Sequence, residues 1–202
     1  MKEHKYSGSD LGIAYIYFYD PVARKLVSFL PESIAPNTIT FLGFLHTIIP
    51  ALILYTSIGA SLFGDLPTWF IFFQAWCFFA YRMLDEMDGK QARRTGNSSP
   101  LGLIFDHGCD CFSVGIQILI FCRILQTGNN AIAAFMLIPS LTAFYFATLE
   151  EYYVGTLVLP VCNVITDGSI IIIFASIFIG IMGNNFMATP WIDASKLNIN
   201  GV

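Results

Sequence analysis

The chain has 202 residues, 55% of them hydrophobic and only 12% charged, with 19 Phe and a formal net charge of −4. A soluble domain carries roughly 25% charged residues. The composition therefore excludes an ordinary soluble fold and describes one integral membrane bundle, with no length left for a second sizeable domain.

Residues 1–20 are polar and aromatic and are expected to be irregular. Residues 20–30 predict a short amphipathic helix, with Asp20 as N-cap and Pro21 at the first helical position. Its apolar side suits the membrane interface, with Arg24 and Lys25 on the wet side; a plain surface helix fits the same pattern. Five apolar stretches follow, at about 39–60, 68–84, 101–122, 131–149 and 169–183, each near the length that a bilayer core demands. The second helix is predicted to run on past the membrane to Arg93. Segment 152–165 is short and mixed, with Pro160, Asn163 and a Thr166-Asp167-Gly168 turn signal, and reads as a loop or re-entrant piece. The tail from Asn184 is polar. The fold expected is an all-α polytopic helical bundle of five transmembrane helices, a candidate sixth and the N-terminal amphipathic helix. It divides into 1–34 (tail and interfacial helix), 35–183 (membrane domain) and 184–202 (C-terminal tail).

Eight cations, Lys2, Lys5, Arg24, Lys25, Arg82, Lys90, Arg93 and Arg94, fall on one face of that alternation, leaving Arg123 and Lys196 elsewhere. By the positive-inside rule that face is cytosolic, or matrix-side in an organelle. The five cysteines show no CxxC spacing and are expected as small buried hydrophobes. No cleavable signal peptide is expected.

The chemistry concentrates between the second and third spans. Asp85 and Asp88 are spaced i,i+3 on one helix and Asp106 and Asp110 i,i+4 on the next. A polar turn, 95–99, joins the two into an antiparallel hairpin that brings the pairs to similar depth, Asp110 about 6 Å deeper at 1.5 Å per residue. Two carboxylates ~5 Å apart repel by about 3 kcal/mol at an effective dielectric of ~20. Four of them require cations; Arg93 is one candidate, and one or two divalent metals with a preference for hard oxygen ligands are better. Intramembrane acids are functional as a rule. Gly89 and Gly102 remove side chains beside the acids and leave space for a bulky ligand. His46, inside the first span, reads as a satisfied buried histidine.

The string Asp85-x-x-Asp88-Gly89-x-x-Ala92-Arg93, eight residues, then Gly102-x-x-x-Asp106-x-x-x-Asp110 resembles the signature of the CDP-alcohol phosphotransferases, with every fixed position filled. Lys90-Gln91-Ala92-Arg93-Arg94-Thr95, Phe105-Asp106-His107-Gly108-Cys109-Asp110, Ala35-Pro36-Asn37-Thr38 and Glu151-Tyr152 resemble the eukaryotic choline/ethanolamine branch. The resemblance implies transfer of phosphocholine or phosphoethanolamine from a CDP-alcohol to the hydroxyl of diacylglycerol, with release of CMP. It implies two Mg²⁺ or Mn²⁺ ions held by Asp85, Asp88 and Asp106, with Asp110 completing the second site. Asn37 would contact the CDP-alcohol and Arg93 a phosphate. His107 is the base it suggests, its ordinary pKa near 6.5 suiting that task, and Asp110 is the rival. Glu151, with Glu150 and Tyr152, would line the donor pocket or form an interfacial polar cap.

Two positions depart from the branch: Glu86 stands where a small residue is usual, and Cys111 where Ser is. The family core has six spans against the five counted here. The partners implied are the CDP-alcohol, diacylglycerol and membrane lipids, with a homodimer or a larger membrane assembly; no nucleic-acid partner is expected. The membrane expected is the endoplasmic reticulum, with the mitochondrial inner membrane as the alternative. A second class of function also fits: a non-catalytic structural or lipid-binding subunit that retains the fold.

Overall fold

The computed structural model describes residues 7–188, so His4, Lys2, Lys5, Lys196 and the tail from 189 lie outside the described residues. Helices dominate: α1 (Asp20–Phe29), α2 (Pro36–Ile53), α3 (Thr68–Thr95), α4 (Pro100–Ile124), α5 (Ala131–Val154), α6 (Thr166–Met182) and a last turn, α7 (Asn185–Ala188). Two four-residue strands, β1 (Ser7–Asp10) and β2 (Thr156–Leu159), pair in parallel, Ser7 opposite Thr156.

The helix boundaries follow local chemistry. Pro36 and Pro100 open α2 and α4 at positions whose N–H has no intrahelical partner. Ser99 caps α4 by accepting from the Gly102 N–H at 3.1 Å, and Asn130 caps α5 by accepting from Ile132 at 2.9 Å. Gly96 ends α3 in the left-handed region at φ 68°, which lets the hairpin reverse. α2 continues through a single π turn, Leu54–Ile58.

Three helical stretches are long and apolar enough to cross a membrane: Pro36–Ile58, Pro100–Ile124 and Ala131–Val154. The expected five exceed this number because α3, at 28 residues, carries charges through its second half and α6, though apolar, has 17 residues. Segment 152–165, the candidate sixth span, forms the end of α5, strand β2 and a turn. Residues 1–20, expected to be irregular, instead form β1 and a π turn at Tyr15–Tyr19 within the described part, from residue 7. That turn runs straight into α1, so the cap position falls on Tyr19, already helical, and Asp20 is a first-turn residue rather than the N-cap.

α2 runs antiparallel to α3 and parallel to α4. Thr40 of α2 meets Asp88, Gly43 meets Leu84, and Thr47 meets Gln117. A Cβ at Gly43 would sit 3.3 Å from that of Leu84, so the close crossing depends on glycine. One apolar core, built on Phe70, Ile71, Ile120 and Ile124, fills the end of the bundle remote from the acids. A second, Tyr19, Ala23, Val27, Ile39, Met83 and Met87, glues α1 onto α2 and α3 at the acid end. Between them runs a buried polar seam in which Gln74 donates to Gln117 and Gln117 to Thr47. The outer surface is apolar: Trp76, Phe135, Phe146, Ile171 and Phe174 are all exposed, as suits side chains that meet lipid. Of the 24 residues of α5, the buried ones are Ala133 and Glu151.

Candidate active site

The second half of α3 and the start of α4 bring the acids together. One carboxylate oxygen from each of Asp85, Asp88 and Asp106 lies within 4.8 Å of the others. Asp88 is buried and accepts the Thr40 hydroxyl. Asp85 is held by the Arg82 guanidinium from one turn earlier on α3. Asp106 Oδ1 is buried and has no hydrogen-bond partner among the described residues. A buried oxygen without a donor is costly. Three converging hard oxygens, one of them with unused acceptor capacity, fit a divalent cation such as Mg²⁺ or Mn²⁺. Asp110 lies outside this trio, where its Oδ1 accepts a 2.6 Å hydrogen bond from the Tyr81 hydroxyl.

A cavity of about 450 Å³ opens in front of the acids. Asn37, Asp85, Asp88, Gly89, Arg93, Gly102, Asp106, His107 and Asp110 all line it. A Cβ at Gly102 would be a tight fit, 3.3 Å from Ser99 Oγ and 3.4 Å from Asn37 Oδ1, whereas one at Gly89 would meet Arg93 Nη1 at an ordinary contact distance of 3.5 Å. Gly108 faces open space instead. Arg93 is exposed and makes no hydrogen bond or ion pair among the described residues, so its fork is available to an anion. Glu151 is buried, and its Oε2, which has no hydrogen-bond partner, lies 3.6 Å from His107 Nε2. None of Glu150, Glu151 and Tyr152 lines the cavity: Glu150 and Tyr152 are exposed, and Glu151 sits behind His107. His46 is only partly buried, not buried as expected, and its Nδ1 lies 2.8 Å from the Leu42 carbonyl, a local contact within α2.

Several participants escape a reading of the sequence. Arg82, which the sequence places among the cations of the positive face, is buried; it binds Asp85 and, through Nη2 at 3.1 Å, Glu86. Arg82, not Arg93, is thus the cation paired with the acids. The signal was present, since Arg82 stands i,i+3 and i,i+4 from these partners. Glu86 does not add uncompensated charge: Arg82 holds one oxygen and Lys90 the other, at 3.3 Å. Gln91 donates to the carbonyls of Pro31 and Ile34, and Arg94 to those of Val27 and Leu30. These clamps fix the loop that delivers Asn37. A second wall comes from the N-terminal segment, with Gly8, Asp10 and Tyr15 facing the cavity. Burial pushes the Asp10 carboxyl above the usual carboxylate range, and burial, with Glu86 and Asp20 nearby, pushes the Tyr15 phenol up to about 12.

A helical membrane bundle whose acid trio opens onto a cavity at one end is a frame that could hold a divalent cation at a membrane surface. The sequence model of the CDP-alcohol phosphatidyltransferases matches residues 33–192, and the chain belongs to that family. It is 35% identical over 191 residues to choline/ethanolaminephosphotransferase 2 of Arabidopsis thaliana, covering 95% of this chain and 48% of that protein. It is 38% identical over 199 residues to the uncharacterized CDP-alcohol phosphatidyltransferase class-I family protein 3 of Dictyostelium discoideum, covering 98% and 50%. With choline/ethanolaminephosphotransferase 1 of Saccharomyces cerevisiae it shares 34% identity over 185 residues, covering 91% and 46%. The chain spans about half the length of these relatives.

Proposed function

We propose that the chain transfers phosphocholine or phosphoethanolamine from a CDP-alcohol to diacylglycerol. The observation that carries this reading is the convergence of Asp85, Asp88 and Asp106 within 4.8 Å beside a buried, unpartnered Asp106 Oδ1. The names of the Arabidopsis and yeast relatives support the headgroup class.

Asp85, Asp88 and Asp106 would hold the divalent ions, with Asp110 as the further ligand of a second site. Ions held there would supply charge neutralisation to the diphosphate and the departing phosphate. The free guanidinium of Arg93 receives a phosphate oxygen, and Asn37, fixed by the Gln91 clamp, meets the nucleotide end. The acceptor oxygen forms a new bond to the phosphorus that carries the headgroup. The diphosphate bridge opens, and its electron pair leaves on CMP. The hydroxyl proton passes to His107. Glu151, with an unspent oxygen at 3.6 Å, orients the imidazole and balances its charge once protonated. The site faces the cytosol or the matrix, in the endoplasmic reticulum or the mitochondrial inner membrane.

The test is CMP release by the purified chain in lipid nanodiscs supplied with CDP-choline or CDP-ethanolamine, diacylglycerol and Mg²⁺. Release is expected, with loss in Asp88→Asn. Absence of CMP with either donor contradicts the enzyme reading and leaves the structural or lipid-binding subunit in its place.

A further inference from the structure

Arg82 is the one guanidinium that the described residues bring against the acid trio. It is 5% exposed, and its ring of donors is divided: Nη1 goes to Asp85 Oδ2 and Nη2 to Glu86 Oε1 at 3.1 Å. Tyr19 supports it from below, the guanidinium carbon standing 5.6 Å from the ring centroid. Glu86 in turn divides its carboxylate between Arg82 and Lys90, and Lys90 Nζ also reaches Asp20 Oδ1 at 3.3 Å. The result is a chain of alternating charge, Asp85, Arg82, Glu86, Lys90 and Asp20, that begins at a trio carboxylate and ends on α1. Asp85 is its terminal member, with one oxygen committed to Arg82.

We propose that Arg82 and Glu86 form a built-in counter-charge that sets how tightly the Asp85–Asp88–Asp106 trio holds a divalent cation. This rests on the reading of that trio as a cation site. Arg82 is a positioning residue: it fixes the Asp85 carboxylate and at the same time competes with the cation for its charge. Glu86 draws part of that competing charge away. Removing Glu86's charge turns the whole guanidinium field onto Asp85 and weakens cation binding. Removing Arg82's charge releases Asp85, leaves Glu86 facing the site, and strengthens it. The two effects oppose each other because a single guanidinium is shared between the two carboxylates.

The experiment measures Mn²⁺ affinity directly, by electron paramagnetic resonance of free Mn²⁺ over the purified full chain in nanodiscs, with no substrate present. Glu86→Gln is expected to weaken binding about tenfold, Arg82→Gln to tighten it by a similar factor, and the double variant to return within about threefold of the parent chain, as one unit charge at a partly screened site implies. Shifts of the same sign in the two single variants, or a double variant that fails to return, overturn the proposal. Glu86→Gln keeps the shape of the side chain, so if Arg82→Gln does not fold, an unchanged affinity in Glu86→Gln is by itself a contradiction. A parent chain with no Mn²⁺ binding that depends on Asp88 and Asp106 overturns both this proposal and the cation-site reading. Parent binding that ignores both substitutions overturns the proposal alone.

Discussion

Asp10 and His107 show how a single side chain's surroundings decide its part. Asp10 is half-buried on the cavity wall, where its Oδ1 accepts from the Gly12 N–H at 2.7 Å and from Asn163 Nδ2 at 2.9 Å. Burial outweighs these donors and raises its pKa. A raised carboxyl contributes stability that is fully present below its unfolded value and is lost as pH rises through the folded one. Asp10→Asn keeps an acceptor without the charge. Thermal melting should therefore find this variant at least as stable as the parent chain at pH 7.5, with the gap closing toward pH 4; a lower melting temperature at pH 7.5 contradicts the assignment. At His107 the prediction concerns rate. His107→Ala should lower CMP release by about 10²–10⁴, the usual worth of a general base. Glu151→Gln should lower it less, because Glu151 acts through the imidazole. Equal rates in His107→Ala and the parent chain would pass the base role to Asp110.

At the scale of elements, α1 and the N-terminal strand are held by long-range ties. The Gly12 position is the tightest: a Cβ there would lie 2.5 Å from Thr166 Oγ1 and 2.8 Å from Asn163 Nδ2. Asp167 closes the same knot by accepting from the Ala14 N–H at 2.7 Å and from the Asn163 N–H at 3.1 Å. Gly12→Ala should cost about 1–3 kcal/mol as an overpacked contact and should expose residues near β1 to protease; an unchanged digestion pattern contradicts the latch. None of this was legible beforehand. Strands of four residues carry almost no periodicity, and β1 finds its partner far away in the sequence, Ser7 opposite Thr156. The helices were legible because their signals are local: Pro36 and Pro100 at the starts, Gly96 in the turn after α3, and apolar runs between. The Asp20 cap failed for a tertiary reason, since the cap rule assumes an extended entry and the chain arrives already coiled.

The whole molecule gathers one end of every long helix around the acids: the starts of α2, α4 and α6, and the ends of α3 and α5. Strict alternation across the layer produces this, and it explains why Asn37, Asp88, Asp106 and Thr166, distant in sequence, line one cavity. The trio was readable because i,i+3 and i,i+4 spacing on two antiparallel helices leaves few ways for those side chains to point. Its counter-ion was legible only in part: Arg82 stands at helical spacing from Asp85 and Glu86, but its burial against them is a product of the packing. The account predicts that EDTA abolishes CMP release and that added Mg²⁺ restores it; activity that persists in EDTA excludes an ion-dependent step. The most direct measurement is anomalous scattering from crystals of the full chain grown with Mn²⁺. A peak within coordination distance of Asp85, Asp88 and Asp106, lost in Asp88→Asn, is the predicted result. Saturating Mn²⁺ with no peak among those three carboxylates would contradict the account.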